Sequence, residues 1–340
     1  MKIKSILAKP FANRIAARIK KDSYNAVKVQ EKVFKKLIFK SKDTIFGRDH
    51  NFDRIASYEE FKKQVPIRDY EGLKPYIEKV VNGKPNVLWK GKPLYFAKTS
   101  GTTSGTKYIP LTKASMPMHI KAARNALLMY IAEKKNADFL KGKVIFLQGS
   151  PILGDTNGIR TGRLSGISAH YVPQYLAKNR LPSWETNCIE DWETKVEAVI
   201  DETIHQDMTL IGGIPSWVQM YFERLVQRTG KKVGEIFPNF NLFVYGGVNY
   251  EPYRNKFEDL IGRKVDTIEL YPASEGCISY QDSQTKKGML LIINGGIFYE
   301  FIPAVEFFDK NPTRVSLGQV KKGINYVLIL NTNAGLWGYN

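Results

Sequence analysis

Thr99-Ser100-Gly101-Thr102-Thr103-Ser104-Gly105-Thr106-Lys107 is the stretch on which the reading of this chain turns. Hydroxyl side chains alternate with two glycines, and a lysine closes the run. Gly101 and Gly105 let the backbone turn tightly and approach an anion with no Cβ in the way. Successive N–H groups in such a turn form a concave nest for phosphate oxygens. Ser100, Thr102, Thr103 and Ser104 add donors, and Lys107 adds a mobile point charge suited to a terminal phosphate. The apolar Leu94-Tyr95-Phe96-Ala97 before it reads as a strand, so the loop is expected to leave a sheet edge. It is not a Walker A loop: three residues rather than four separate its glycines, and Tyr108 follows the lysine. The competing reading is a flexible Gly/Ser/Thr turn with no ligand.

Around this loop the chain alternates helical and strand-like patterns. The spacing predicts helices over 113–135 (with Thr112 as its cap), 191–205, 215–229 and 250–262. Apolar runs predict strands at 144–147, 242–245, 267–271, 290–293, 297–302 and 326–330. Such alternation is the signature of a layered α/β architecture. The stretch from Gly149 to Gly166, rich in Gly, Ser and Thr, reads as a long functional loop.

A second group of polar residues, Tyr271-Pro272-Ala273-Ser274-Glu275-Gly276, falls where a strand ends. Ligands of open α/β sheets bind outside the carboxyl ends of the strands. Tyr245-Gly246-Gly247-Val248 is a third strand end, where Gly246 and Gly247 let backbone come close to a ligand or simply form a tight turn.

The 340 residues, 43% of them hydrophobic, suffice for one large domain or two. No apolar run approaches the length of a membrane span. Cys188 and Cys277 are too few for a disulfide framework or a zinc site, which fits a reducing, cytoplasmic setting. His50, His119, His170 and His205 show no metal-ligand spacing and read as structural. The net charge is +18, and residues 1–42 hold 13 Lys or Arg against Asp22 and Glu31. This segment reads as amphipathic helix with a basic face. A solvated face, an anionic-surface contact and a transit peptide compete to explain it. The helical pattern continuing to Phe39 favours the first.

Several separated motifs resemble one family. They are Thr44-x-Phe46-Gly47-x-x-His50-x-Phe52-x-x-Ile55, Tyr58, Val65-Pro66-Ile67, Phe96 to Gly105 with Ile109-Pro110, and Gly296-Ile297-Phe298-Tyr299-Glu300-Phe301-Ile302-Pro303. Together they look like the GH3 family, the acyl acid–amido synthetases of plants with bacterial relatives, within the adenylate-forming superfamily. The superfamily's phosphate loop, Ser-Gly-Thr-Thr-Gly-x-Pro-Lys, is similar to Ser100–Lys107, although Ser104 and Thr106 replace its second glycine and its proline. Its Tyr-Gly-x-Thr-Glu motif is similar to Tyr271–Glu275, with Ser274 in the place of threonine.

The resemblance implies an α/β fold, the large domain of the acyl-CoA synthetase and luciferase type, over residues 1–340. It implies Mg-ATP activation of a small carboxylic acid as the acyl-adenylate, then transfer to an amino acid amine. Lys107 would hold the departing phosphates, Tyr271 would stack on adenine, Ser274 would bond the α-phosphate, and Glu275 would hold Mg²⁺. Family members place a ribose-binding aspartate just beyond a segment like Leu336–Asn340, followed by a smaller lid domain, so the chain is expected to lack both. A CoA-transferring adenylate-former and a basic nucleic-acid or membrane-surface binder remain the alternatives. The second of these leaves both loops without a purpose, so no nucleic-acid partner is expected.

Overall fold

A computed structural model describes residues 2–100, 106–172 and 178–340, with residues 2–7 and Ser100 described by backbone alone. Strands β1 (Tyr95–Ser100) and β2 (Thr106–Leu111) form an antiparallel pair. β3 (Lys143–Phe146) belongs to the main sheet, and β4 (Gly154–Thr156) with β5 (Ile159–Gly162) returns to the first pair. β6 (Arg180–Leu181), β7 (Met208–Gly212), β8 (Leu242–Gly246), β9 (Asp266–Ala273), β10 (Gly276–Tyr280) and β11 (Leu290–Leu291) complete the main sheet. β12 (Ile297–Pro303), β13 (Val315–Ser316) and β14 (Tyr326–Thr332) make a third sheet.

The main sheet runs β11-β10-β9-β8-β7-β3-β6. β9, β8, β7, β3 and β6 are parallel, and the β10–β11 edge is antiparallel. Every residue of β7 is buried, as expected of a parallel strand covered on both faces. Period-two alternation sorts the side chains: Ile145, Ile211 and Phe243 join helices 192–203, 215–229 and 254–261 on one face. Val144, Leu210 and Leu242 meet helix 116–134 and the N-terminal helix 2–24 on the other. The chain is thus a layered α/β structure.

Residues 1–42 become two helices, Lys2–Tyr24 and Ala26–Ser41. Ala12 and Ala16 are buried against helix 116–134, while Phe34, Leu37 and Ile38 enter the core around the β1–β2 sheet. Gln30 fixes the second helix: its Nε2 donates to the carbonyls of Ile293 and Ile297, at 2.7 and 2.9 Å, and its Oε1 accepts from Tyr299 N. The described basic side chains of both helices, from Lys9 to Lys40, are exposed.

Three expectations differ from the structure. The stretch 149–166 is not a structureless loop but the β4–β5 hairpin followed by a helix at Leu164–Ala169. Its turn is Asn157-Gly158, both with positive φ (52° and 79°), the pair that a two-residue type I′ hairpin favours. Strand β1 lies inside a separate sheet ordered β2-β1-β5-β4, so β2 rather than β1 is the edge. Finally, helix 116–134 begins after Thr112, whose Oγ1 accepts from the N–H groups of Ala114 and Ser115 in the turn before it.

His119 on that helix is 7% exposed, its Nε2 has no partner, and burial pushes the imidazole down to about 4. The unfolded chain, with an imidazole near 6.5, therefore takes up a proton that the native chain does not. The resulting stability is present above pH 6.5 and is lost as the pH falls toward 4. At pH 5 the loss is about 2 kcal/mol. Urea unfolding of His119→Met is expected to show that much less acid destabilisation between pH 7 and 5. An unchanged pH slope would show that another group carries it.

Candidate active site

The carboxyl ends of the parallel strands supply the glycine turns. β8 closes on Gly246 and Gly247 beside β9. A Cβ at Gly246 would lie 2.5 Å from the Leu270 carbonyl oxygen and 3.0 Å from Pro272, so only glycine keeps β8 this close to β9. Gly247 sits at φ +88°, in the left-handed region. Beside them Tyr271 is 49% exposed near the end of β9, with its ring available as a flat platform. Ser274 and Glu275 form the tight turn between β9 and β10, and both are partly buried.

Lys107 arrives from the other sheet. It pairs with Thr99 across the β1–β2 ladder, and its ammonium lies 5.3 Å from the centre of the Tyr70 ring. Tyr70 opens the helix 70–81, and its hydroxyl oxygen accepts from the Tyr108 N–H at 2.9 Å, which locks β2 to that helix. Gly101, Thr102, Thr103, Ser104 and Gly105 lie outside the described residues, and Ser100 contributes its backbone only.

Electrostatics link the two motifs at Glu275. Burial holds its carboxyl above the usual carboxylate range. A hydrogen bond from the Tyr339 hydroxyl and the positive charge of Lys107 pull the other way. Tyr339 is in turn pushed up by burial and by the adjoining Glu275 carboxylate. Residues 107 and 275, far apart in sequence, therefore share one electrostatic environment. Tyr339 was not singled out by the sequence reading, because nothing local in Leu336-Trp337-Gly338-Tyr339-Asn340 indicates what its hydroxyl reaches. Backbone bonds put it there: Leu330 and Tyr339 exchange both N–H donors, and Arg68 N donates to Gly338 O while Asn340 N donates to Arg68 O.

The nearby histidine is structural. His50 stacks on Phe46, its Nδ1 donates to the Phe46 carbonyl at 2.8 Å, and its Nε2 must then accept from Arg68 Nη2 at 2.7 Å. Burial, with Arg68 alongside, lowers its pKa and keeps the ring neutral.

As a donor set this is spare. Among the described residues no cluster of three His, Cys, Asp or Glu is arranged to cage a metal ion. One partly dehydrated carboxylate suits Mg²⁺, which takes one or two protein carboxylates and completes its shell with phosphates and water.

Comparison with known proteins gives the family of the chain. The GH3 family N-terminal domain matches residues 15–183 and the GH3 family central domain matches residues 290–340. The chain belongs to the GH3 family. The probable indole-3-acetic acid-amido synthetase GH3.1 of Oryza sativa subsp. japonica is 22% identical over 93% of this chain and 62% of its own length. The jasmonoyl-L-amino acid synthetase JAR4 of Nicotiana attenuata is 21% identical over 93% of this chain and 65% of its own length. The chain thus spans just under two thirds of these GH3 relatives. Among solved structures, the AtGH3.15 acyl acid amido synthetase in complex with 2,4-DB superposes with a TM-score of 0.77 at 16% identity. That match covers 96% of this chain and 66% of that one. The 2-hydroxyisobutyryl-CoA ligase with bound 2-HIB-AMP and CoA gives 0.56 at 12% identity, over 94% and 61% of the two chains. The GH3 chain therefore has the adenylate-forming α/β fold. Its segment 184–289 lies between the two family matches, yet it contributes most of the parallel sheet. No helix among the described residues is long and apolar enough to cross a membrane.

Proposed function

We propose that residues 1–340 are the large, nucleotide-binding domain of an acyl acid–amido synthetase. A carboxylate oxygen attacks the α-phosphorus of ATP, the bond to the β-phosphate breaks, and pyrophosphate leaves. The amine of an amino acid then attacks the acyl carbon, losing a proton as AMP departs. The observation that carries this reading is that the Glu275 carboxyl, in the turn between β9 and β10 of the main sheet, lies within electrostatic reach of Lys107 on β2 of another sheet.

Each residue has a task in that scheme. Lys107, with Ser100, Gly101, Thr102, Thr103, Ser104 and Gly105, holds the β- and γ-phosphates and steadies the charge that leaves with them. Tyr271 stacks on the adenine beside the Gly246-Gly247 backbone, and Ser274 donates to the α-phosphate. Glu275 holds Mg²⁺, with Tyr339 orienting its carboxyl. The ion, when bound, supplies Lewis-acid neutralisation of the phosphate oxygens. Fixed donors aimed at the charge that develops stabilise the transition state without reorganising. The unpaired thiols Cys188 and Cys277 suit a reducing cytoplasm, where ATP is also supplied.

Titration calorimetry of this chain with ATP, with and without Mg²⁺, tests the reading. Saturable binding that requires Mg²⁺ is expected, and no binding at millimolar nucleotide would overturn it. Product analysis with amino acids against coenzyme A then separates amide from thioester formation.

A further inference from the structure

A second concavity lies on another part of the molecule. The helices 2–24, 26–41 and 116–134 and strands β10–β11 enclose a cavity of about 660 Å³. It shares no residue with the site of Lys107, Glu275, Tyr271 and Tyr339. Its volume falls within the range of about 300–1,000 Å³ that small-molecule sites occupy.

The lining has two kinds of surface. Ile19, Leu37, Met118, Leu291 and Trp89 make an apolar wall. Arg18, Lys36, Lys113, Lys121 and Arg124 surround it with five cations. Among the described residues none of the five is in an ion pair. Asp22 is the one carboxylate among the described residues of the lining, and it accepts from Asn294 Nδ2 at 2.9 Å. Among the described residues, Arg124 bonds only the neutral side-chain oxygen of Asn125. Like charges gathered around a low-dielectric concavity focus a positive potential into it. They repel one another, so the native state carries them without internal compensation. Arg18 and Lys36 bring part of the positive excess of residues 1–42 to the rim of this cavity while remaining exposed.

We propose that this cavity binds a free organic anion with an apolar body, such as an alkyl phosphate or carboxylate. The headgroup sits among Lys121, Arg124 and their neighbours, and the chain lies along the apolar wall. A small inorganic anion leaves that wall wet, and a neutral apolar molecule leaves the cations unpaired, so neither satisfies both surfaces.

Titration with decyl phosphate below its micellar concentration tests this on the whole chain. Saturable binding is expected, about tenfold or more tighter than that of inorganic phosphate. The exposed double variant Lys121→Glu/Arg124→Glu is expected to lose about tenfold or more of it. The pair Lys231→Glu/Lys264→Glu, also exposed but not part of the lining, is expected to retain it. Mg-ATP binding is expected to be unchanged in the cavity variant, which separates this proposal from the nucleotide site. Binding retained by the cavity variant, no binding up to millimolar ligand, or binding only to vesicles containing phosphatidylglycerol would each overturn it.

Discussion

Replacing Arg314 by methionine is expected to destabilise the chain by about 3–5 kcal/mol, the cost of leaving a buried charge without its partner. Glu300 lies in the middle of β12 with no exposed surface. Arg314 donates to it three times, from Nη2 at 2.7 and 2.8 Å and from Nε at 3.0 Å. Tyr58 Oη at 3.0 Å and Asn331 Nδ2 at 2.8 Å complete the shell. The same guanidinium donates to the Val65 carbonyl at 2.6 Å, tying the third sheet to the segment before the helix 70–81. Methionine keeps much of the apolar stem but removes every donor. Arg314→Lys is expected to restore little, because an ammonium cannot reproduce the planar fork. Urea unfolding monitored by far-ultraviolet circular dichroism measures the change. A loss under about 1 kcal/mol would mean that water replaces the guanidinium and the carboxylate is not isolated.

Glu275→Gln and Lys107→Ala are each expected to weaken Mg-dependent ATP binding or turnover by roughly 10²–10³-fold, the range for removing one preorganised charge-stabilising group. The pH dependence carries the sharper test. Burial raises the Glu275 carboxyl, and only its ionised form attracts Mg²⁺, so affinity falls on acidification at a pH above the ordinary carboxylate range. Lys107 and the Tyr339 hydroxyl both stabilise the ionised form. Removing either, as Lys107→Ala or Tyr339→Phe, is therefore expected to move this acid limb to higher pH. Glu275→Gln is expected to abolish it. Calorimetric affinities from pH 5 to 8 would show this directly. An acid limb unmoved in Tyr339→Phe would remove Tyr339 from the site.

The main sheet was legible in the sequence for a physical reason. Runs such as Leu242-Phe243-Val244-Tyr245 end in glycine, and helix 215–229 begins with Pro215 and stops at Gly230 in the left-handed conformation. Those are local signals, and the structure follows them. The Asn157-Gly158 turn was equally local, but the surrounding Gly, Ser and Thr residues read as an open loop and hid the short strands beside it. Contacts made only in three dimensions left no such trace. A glutamate within Ile-Phe-Tyr-Glu-Phe-Ile signals a buried charge, yet nothing in sequence names Arg314 as its partner. Lys107 and Glu275 stand out in the sequence through a hydroxyl- and glycine-rich loop, a strand-end turn and a family resemblance, none of which states how the two side chains lie relative to each other. Tyr339 and the basic cavity were beyond these signals, since each depends on how distant segments pack.

The indole of Trp337 has a consequence for how the protein is made. It is 1% exposed, lies edge-on to Phe52 at 4.9 Å and parallel to Phe46 at 6.1 Å, and donates to the Leu88 carbonyl at 3.1 Å. The aromatic nest built by Phe46, Phe52 and Phe61 is therefore closed by a side chain synthesised 276 to 291 residues later. At about 5–20 residues per second, a ribosome takes roughly 15–60 s to cover that distance. Through that interval the nascent chain presents an unfinished apolar surface, which makes it a client for the chaperones that shield emerging polypeptides.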